Sequence, residues 1–89
     1  MTLTVTLTVQ IRYFASLREA LGAGETANVA SGCTLGELRD ALIARGGRHA
    51  EVLARGRAVR AALTQVMSDE SALLFEGAEV AFFPPVTGG

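Results

Sequence analysis

Glu79-Val80-Ala81-Phe82-Phe83-Pro84-Pro85-Val86-Thr87-Gly88-Gly89 closes the 89-residue sequence, and most of the reading follows from it. Its first five residues have the β-branched and aromatic content of a strand. Pro84 and Pro85 have no backbone N–H to give to a ladder, so the strand stops there and the chain continues stiff and extended. Six residues past Phe83 reach about 20 Å when fully extended. Gly88 and Gly89 make the end of that tail slender enough for a narrow channel. An α-carboxylate on Gly89, ionised around a reference pKa of roughly 3.5, resists nucleophiles. It becomes an acyl donor only after activation, for example as a mixed anhydride with AMP, and a glycine acyl carbon is the least hindered of all. The plainer reading of two terminal glycines is a frayed chain end.

Towards the other end, Leu3, Val5, Leu7, Val9, Ile11 and Tyr13 alternate with Thr2, Thr4, Thr6, Thr8, Gln10 and Arg12. This period of two predicts a strand with one face on a core and one in solvent. Ser16-Leu17-Arg18-Glu19 fits a capping box, followed by a helical turn with Leu17 and Leu21 on one face and an end at Gly22. A weaker strand spans 25–30, and Ser31-Gly32 turns the chain. Thr34-Leu35-Gly36-Glu37 is a second capping box that opens the main helix. Leu35, Leu38 and Leu42, with Ala41 beside them, form its buried stripe, and Gly46-Gly47 stops it. A short turn is expected over 50–55, one or two strands over 57–67, a polar loop over 68–71, and a turn at Gly77 into the last strand. Strand, strand, helix, strands is the order of an α+β domain with one helix on one sheet.

Composition excludes several function classes. With 89 residues and 49% hydrophobic content, the chain builds one small domain and has apolar surface to spare for a core or a partner. A net charge of −1 gives no general attraction to nucleic acid or to an anionic membrane. No stretch approaches the ~20 apolar residues of a membrane span. The first residues lack a basic region and their threonines interrupt any signal-peptide core, so the expected location is the cytoplasm. One cysteine makes no internal disulfide, and one histidine leaves no zinc-ligand or Ser-His-Asp spacing. No metal site is expected. Cys33, just before the main helix, reads as a reactive thiol or, with better base rates, as a small buried apolar residue. All eight basic residues are arginine, so the chain offers no lysine for catalysis or for an isopeptide bond to its own copies. Arg39, Arg45, Arg48, Arg55, Arg57 and Arg60 cluster mid-chain. A solvated helix face explains them better than a docking surface for an acidic partner, and better still than a nucleic-acid patch, which lacks interleaved aromatics. His49 reads as an exposed loop residue. Asp69 and Glu70 lack the spacing of a catalytic carboxylate pair or a calcium loop.

Gly77 to Gly89 resembles the C-terminal signature of the small subunits of molybdopterin synthase. Phe14-Ala15-Ser16-Leu17-Arg18-Glu19-Ala20-Leu21-Gly22 is similar to the segment after the first strand in that family. The likeness covers most of the chain and begins near Thr8, which makes residues 1–7 an N-terminal extension of the first strand. It implies a single ubiquitin-like β-grasp domain over 1–83, its mixed sheet packed on one main helix with first and last strands as central neighbours. Residues 84–89 would be an extended functional tail. Where relatives of this kind often carry an asparagine near position 64, this chain has Leu63-Thr64-Gln65.

The resemblance further implies a sulfur carrier. An ATP-dependent activating adenylyltransferase, using ATP with magnesium, would adenylate Gly89, and a sulfur donor system would convert it to a thiocarboxylate. Pro84, Pro85, Val86, Thr87 and Gly88 would guide the tail into the large catalytic subunit, the two kinds of subunit forming a heterotetramer. Sulfur would pass there to cyclic pyranopterin monophosphate. The catalytic residues would belong to the large subunit, and no cofactor would stay bound to this chain. Phe14, Met67 and Phe83 match positions of the apolar patch that grips the large subunit. Strand parity fits: residue 14 faces away from the Val9–Ile11–Tyr13 stripe, and Phe82 and Phe83 cannot share a face. The alternatives are a sulfur carrier for thiamine, cysteine or tRNA thiolation, a ubiquitin-like protein modifier, and an inert binding module.

Overall fold

The structure, a computed structural model, describes residues 6–84. The elements run β1 (Thr6–Tyr13), α1 (Ala15–Leu21), β2 (Gly24–Ala30), α2 (Leu35–Ala44), α3 (Gly47–Leu53), β3 (Arg60–Leu63), β4 (Val66–Ser68) and β5 (Glu79–Phe83). They build one sheet in the order β2-β1-β5-β3-β4. β1 and β5 are parallel, with Gln10 opposite Glu79 and Tyr13 opposite Phe82, and the other pairings are antiparallel. The last strand is thus the middle strand, hydrogen-bonded on both sides. This mixed five-stranded sheet with the main helix across one face is the ubiquitin-like β-grasp arrangement.

The period of two in β1 is realised: Val9, Ile11 and Tyr13 are buried and Gln10 and Arg12 exposed. Thr6 and Leu7 pair with Ala30 and Val29, so the strand reaches into the expected extension, whose first five residues lie outside the described ones. The Thr34 capping box forms, with Glu37 N–H bonding the Thr34 hydroxyl and the Glu37 carboxylate accepting from Thr34 N–H. Leu35, Leu38 and Leu42 pack against Val9, Ile11, Val80 and Phe82. Ala41 is exposed, because helical rotation carries it off the 35–38–42 face.

Other expectations are corrected. Ser16 caps nothing. The Phe14 N–H bonds the Phe82 carbonyl at 3.2 Å, and the Phe14 carbonyl takes the N–H groups of Leu17 and Arg18. The change from strand to helix therefore falls at Ala15, with φ at 52°, and Ser16 lies inside the first turn. Gly46 and Gly47, with φ at 77° and 56°, end α2 but at once open α3, which starts earlier than the expected turn.

Thr64 and Gln65 form a two-residue hairpin loop with φ at 48° and 69°. Such loops favour Asn and Gly, and a β-branched residue there is strained. Thr64→Asn is accordingly expected to raise stability by about 1 kcal/mol, read as a higher urea midpoint at unchanged slope. An equal or lower midpoint would mean that the neighbouring strands remove the strain.

Candidate functional site

The two aromatics at the end of β5 divide between the faces of the sheet. Phe82 is 2% exposed and stacks on Tyr13 at 6.3 Å inside the core. Phe83 lies half-buried on the opposite face, parallel to Phe14 with ring centroids 4.9 Å apart and planes 13° from parallel. Phe14 comes to this face because β1 ends at Tyr13 and residue 14 takes the next alternate direction. Met67 reaches it from β4: the register sets Met67 opposite Ala62, and Ala62 opposite Ala81. The three residues singled out for the interface therefore meet around one shallow groove. Ala62 and Ala81 lie in its floor, and Arg12, Glu79 and Gln65 complete it. Phe14 and Met67 remain 38% and 55% exposed, high for large apolar side chains sharing a surface. Arg12 and Glu79 pair across the polar side at 3.0 Å.

This arrangement has the anatomy of a docking surface, an aromatic and methionine centre with a polar margin. It surrounds the point where β5 leaves the sheet. The Ala78 carbonyl accepts from Gln10 N–H, the Gly77 N–H bonds the Thr8 carbonyl, and β1 and β3 flank the strand to Phe83, so Pro84 starts from a fixed position. The roles expected of Pro85, Val86, Thr87, Gly88 and Gly89 fall on residues outside the described ones.

Among the described residues, no group of three or more His, Cys, Asp or Glu could hold a metal, and no helix is long and apolar enough to cross a membrane. The Cys33 thiol donates to the Thr34 carbonyl at 3.4 Å, and partial burial, with the nearby Glu37 charge, pushes it up. It is therefore no activated thiolate.

The arginine cluster is corrected in part. Arg39 is buried, donating to the carbonyls of Leu53, Ala54 and Arg57 and to Glu70. Arg55 bonds Asp40, Glu70 and the Gly36 carbonyl, and Arg45 bonds Glu25. Arg39 thus leaves the solvated face, whereas Arg45 and Arg55 stay on it, about half exposed, and tie elements together from there. His49 is also not a loop residue. It sits in α3, half-buried, with Nε2 3.1 Å from a Glu25 carboxylate oxygen and its ring edge-on to Tyr13.

Glu25 thus gathers β1, β2, α2 and α3 through Tyr13, Arg45 and His49. Burial alone would push its carboxyl up, but hydrogen bonds from Arg45, His49 and Tyr13 outweigh that and bring it to about 2. The Tyr13 phenol is raised by burial and by the carboxylate it donates to. Because the folded-state value of Glu25 is depressed, its stabilisation is complete above the unfolded-state value near 4.5 and is lost as pH falls towards about 2. Glu25→Gln should cost about 2 kcal/mol at neutral pH and flatten the acid limb of stability over that window. Urea titrations at several pH values measure it. An acid limb as steep as the parent's would assign the acid sensitivity to other carboxylates.

The ThiS family matches residues 11–89. The molybdopterin synthase sulfur carrier subunit of Escherichia coli (strain K12) is 38% identical over 81 residues, covering 91% of this chain and 99% of that protein. The solution structure of the Haloferax volcanii HVO 2177 protein superposes with a TM-score of 0.80 at 29% identity, covering 94% of this chain and 88% of that one. The crystal structure of SAMP1 from Haloferax volcanii gives a TM-score of 0.73 at 24% identity, over 92% and 99% of the two chains, and so shares the fold.

Proposed function

The chain belongs to the ThiS family, and from that membership we propose that it is the sulfur carrier subunit of a molybdopterin synthase. The observation that supports this reading best is the placement of β5. A strand held on both sides in the sheet centre runs out beside the Phe14–Phe83 stack and Met67 into the sequence Pro84 to Gly89. A tail rooted this rigidly delivers its end to a defined place once a partner covers the groove, and prepaid positioning of that kind lowers a barrier by several kcal/mol.

The cycle begins when an activating adenylyltransferase, with ATP and magnesium, joins the Gly89 carboxylate to AMP and releases pyrophosphate. A sulfur donor displaces AMP and leaves a thiocarboxylate. The loaded tail enters the large catalytic subunit, guided by Pro84, Pro85, Val86, Thr87 and Gly88, while Phe14, Met67 and Phe83 hold the two proteins together. Sulfur passes to cyclic pyranopterin monophosphate, and water restores the carboxylate. The work takes place in the cytoplasm, within a heterotetramer. This chain contributes the sulfur and its placement, and the large subunit contributes the catalytic groups.

The test is the intact mass of the C-terminal peptide after incubation with activating enzyme, ATP and a sulfur donor. An increase equal to exchanging one oxygen for sulfur, lost on alkaline hydrolysis, is expected. An unchanged mass in a system that loads an E. coli-type carrier would remove the proposal. A protein modifier would instead yield conjugates on lysines of other proteins that vanish when Gly89 is deleted.

A further inference from the structure

We propose that Arg60 is an electrostatic anchor of the docking surface, taking a carboxylate on the partner protein beside its apolar contact. The inference rests on the docking role given above to Phe14, Met67 and Phe83.

Arg60 opens β3 and lies directly opposite Phe83 in the β3–β5 register. Two residues on, Ala62 lies in the groove floor, so alternation places Arg60 on the groove side of the sheet, next to the strand end from which the tail departs. Arg60 is exposed. The other arginine of that face, Arg12, is neutralised by Glu79, and Arg39, Arg45 and Arg55 are matched to Glu70, Glu25 and Asp40. Among the described residues, Arg60 meets no carboxylate within ion-pairing distance. Arg60 and Met67 also line a neighbouring hollow together with Asp69, so its surroundings are continuous with the groove through Met67.

A cation left unmatched at the margin of an apolar contact is suited to an acidic side chain on the protein that covers it. One arginine on a chain of net charge −1 does not suit a polyanion. Arginine presents a planar fork that a carboxylate can accept from with both oxygens, a geometry lysine does not reproduce. Charges at an interface margin act mainly on the association rate and its salt dependence, whereas the apolar centre sets the lifetime of the complex.

The experiment measures binding of the full chain to purified large subunit of molybdopterin synthase at low and high salt. Thermal melts serve as a folding control. Arg60→Glu should weaken binding about tenfold or more at low salt, chiefly through the on-rate, with the difference shrinking at high salt. Arg60→Lys should fall between that variant and the parent. Phe14→Ala should weaken binding at both salt concentrations. If Arg60→Glu binds like the parent at low salt while Phe14→Ala does not, Arg60 is no anchor and the docking surface stands. A loss on Arg60→Glu that is equal at both salts would also overturn the electrostatic role. If Phe14→Ala and Met67→Ala bind like the parent, the docking reading falls and this inference with it.

Discussion

Adding one residue after Gly89, or removing Gly89, is expected to abolish sulfur transfer while leaving the fold and partner binding intact. The altered positions follow in sequence after β5, which ends at Phe83, and the groove is built by Phe14, Met67 and Phe83. One residue changes the reach of an extended tail by about 3.5 Å. A displacement of only about 1 Å at a reacting centre can cost on the order of a hundredfold in rate. Either change therefore moves the acyl carbon out of range, because the start of the tail is fixed and cannot slide to compensate. Gly89→Ala keeps the length and adds a methyl beside the acyl carbon, so it should slow transfer without abolishing it. Single-turnover sulfuration of the pterin, together with binding of the variant to the large subunit, checks the expectation. Transfer at the parent rate from a chain carrying an added C-terminal residue would show that the terminus is not the sulfur-bearing group.

Much of this surface is legible in the sequence, because strand parity is a strict rule. Tyr13 pointing inward forces Phe14 outward, and adjacent Phe82 and Phe83 must divide between the faces, as they do. The Thr34 capping box was readable because its two hydrogen bonds are local in sequence. Ser16-Leu17-Arg18-Glu19 carries the same pattern and fails, since a contact distant in sequence, Phe14 with Phe82, decides where the helix begins. The place of His49 is not local in sequence for a similar reason: its partners Glu25 and Tyr13 come from strands far back in the chain. The burial of Arg39 had a sequence signal. Positions 35, 38, 39 and 42 complete one helical face by the i, i+3, i+4, i+7 rule, so an arginine at 39 had to point inward.

That buried arginine carries the second large effect. Arg39→Ala is expected to destabilise the domain by about 3–5 kcal/mol, the range for removing one member of a buried charged network. The side chain is 6% exposed, and Nε bonds the Leu53 carbonyl at 2.8 Å. Nη2 bonds the carbonyls of Ala54 and Arg57, and Nη1 reaches Glu70 at 2.7 Å. Truncation leaves three carbonyls short of a donor and deprives Glu70 of one of its two arginines, while Arg55 still holds the other oxygen. Gly36 makes the site unforgiving. A side chain there would press on Glu70 at 3.1–3.2 Å, so the 69–70 loop is already seated against α2 and has little room to re-form. Arg39→Lys keeps the charge but cannot fan out to four acceptors, and should fall between alanine and the parent. Urea midpoints give the magnitudes, and the Arg39→Ala/Glu70→Ala double variant should lose less than the sum of the single changes. Additive losses, or an Arg39→Ala cost below about 1 kcal/mol, would mean that water satisfies these groups. Because α2 packs its leucines on Val80 and Phe82, the root of the tail depends on this tie. Sulfur transfer by Arg39→Ala should therefore fall as the domain melts and recover on cooling, unlike the loss caused by deleting Gly89.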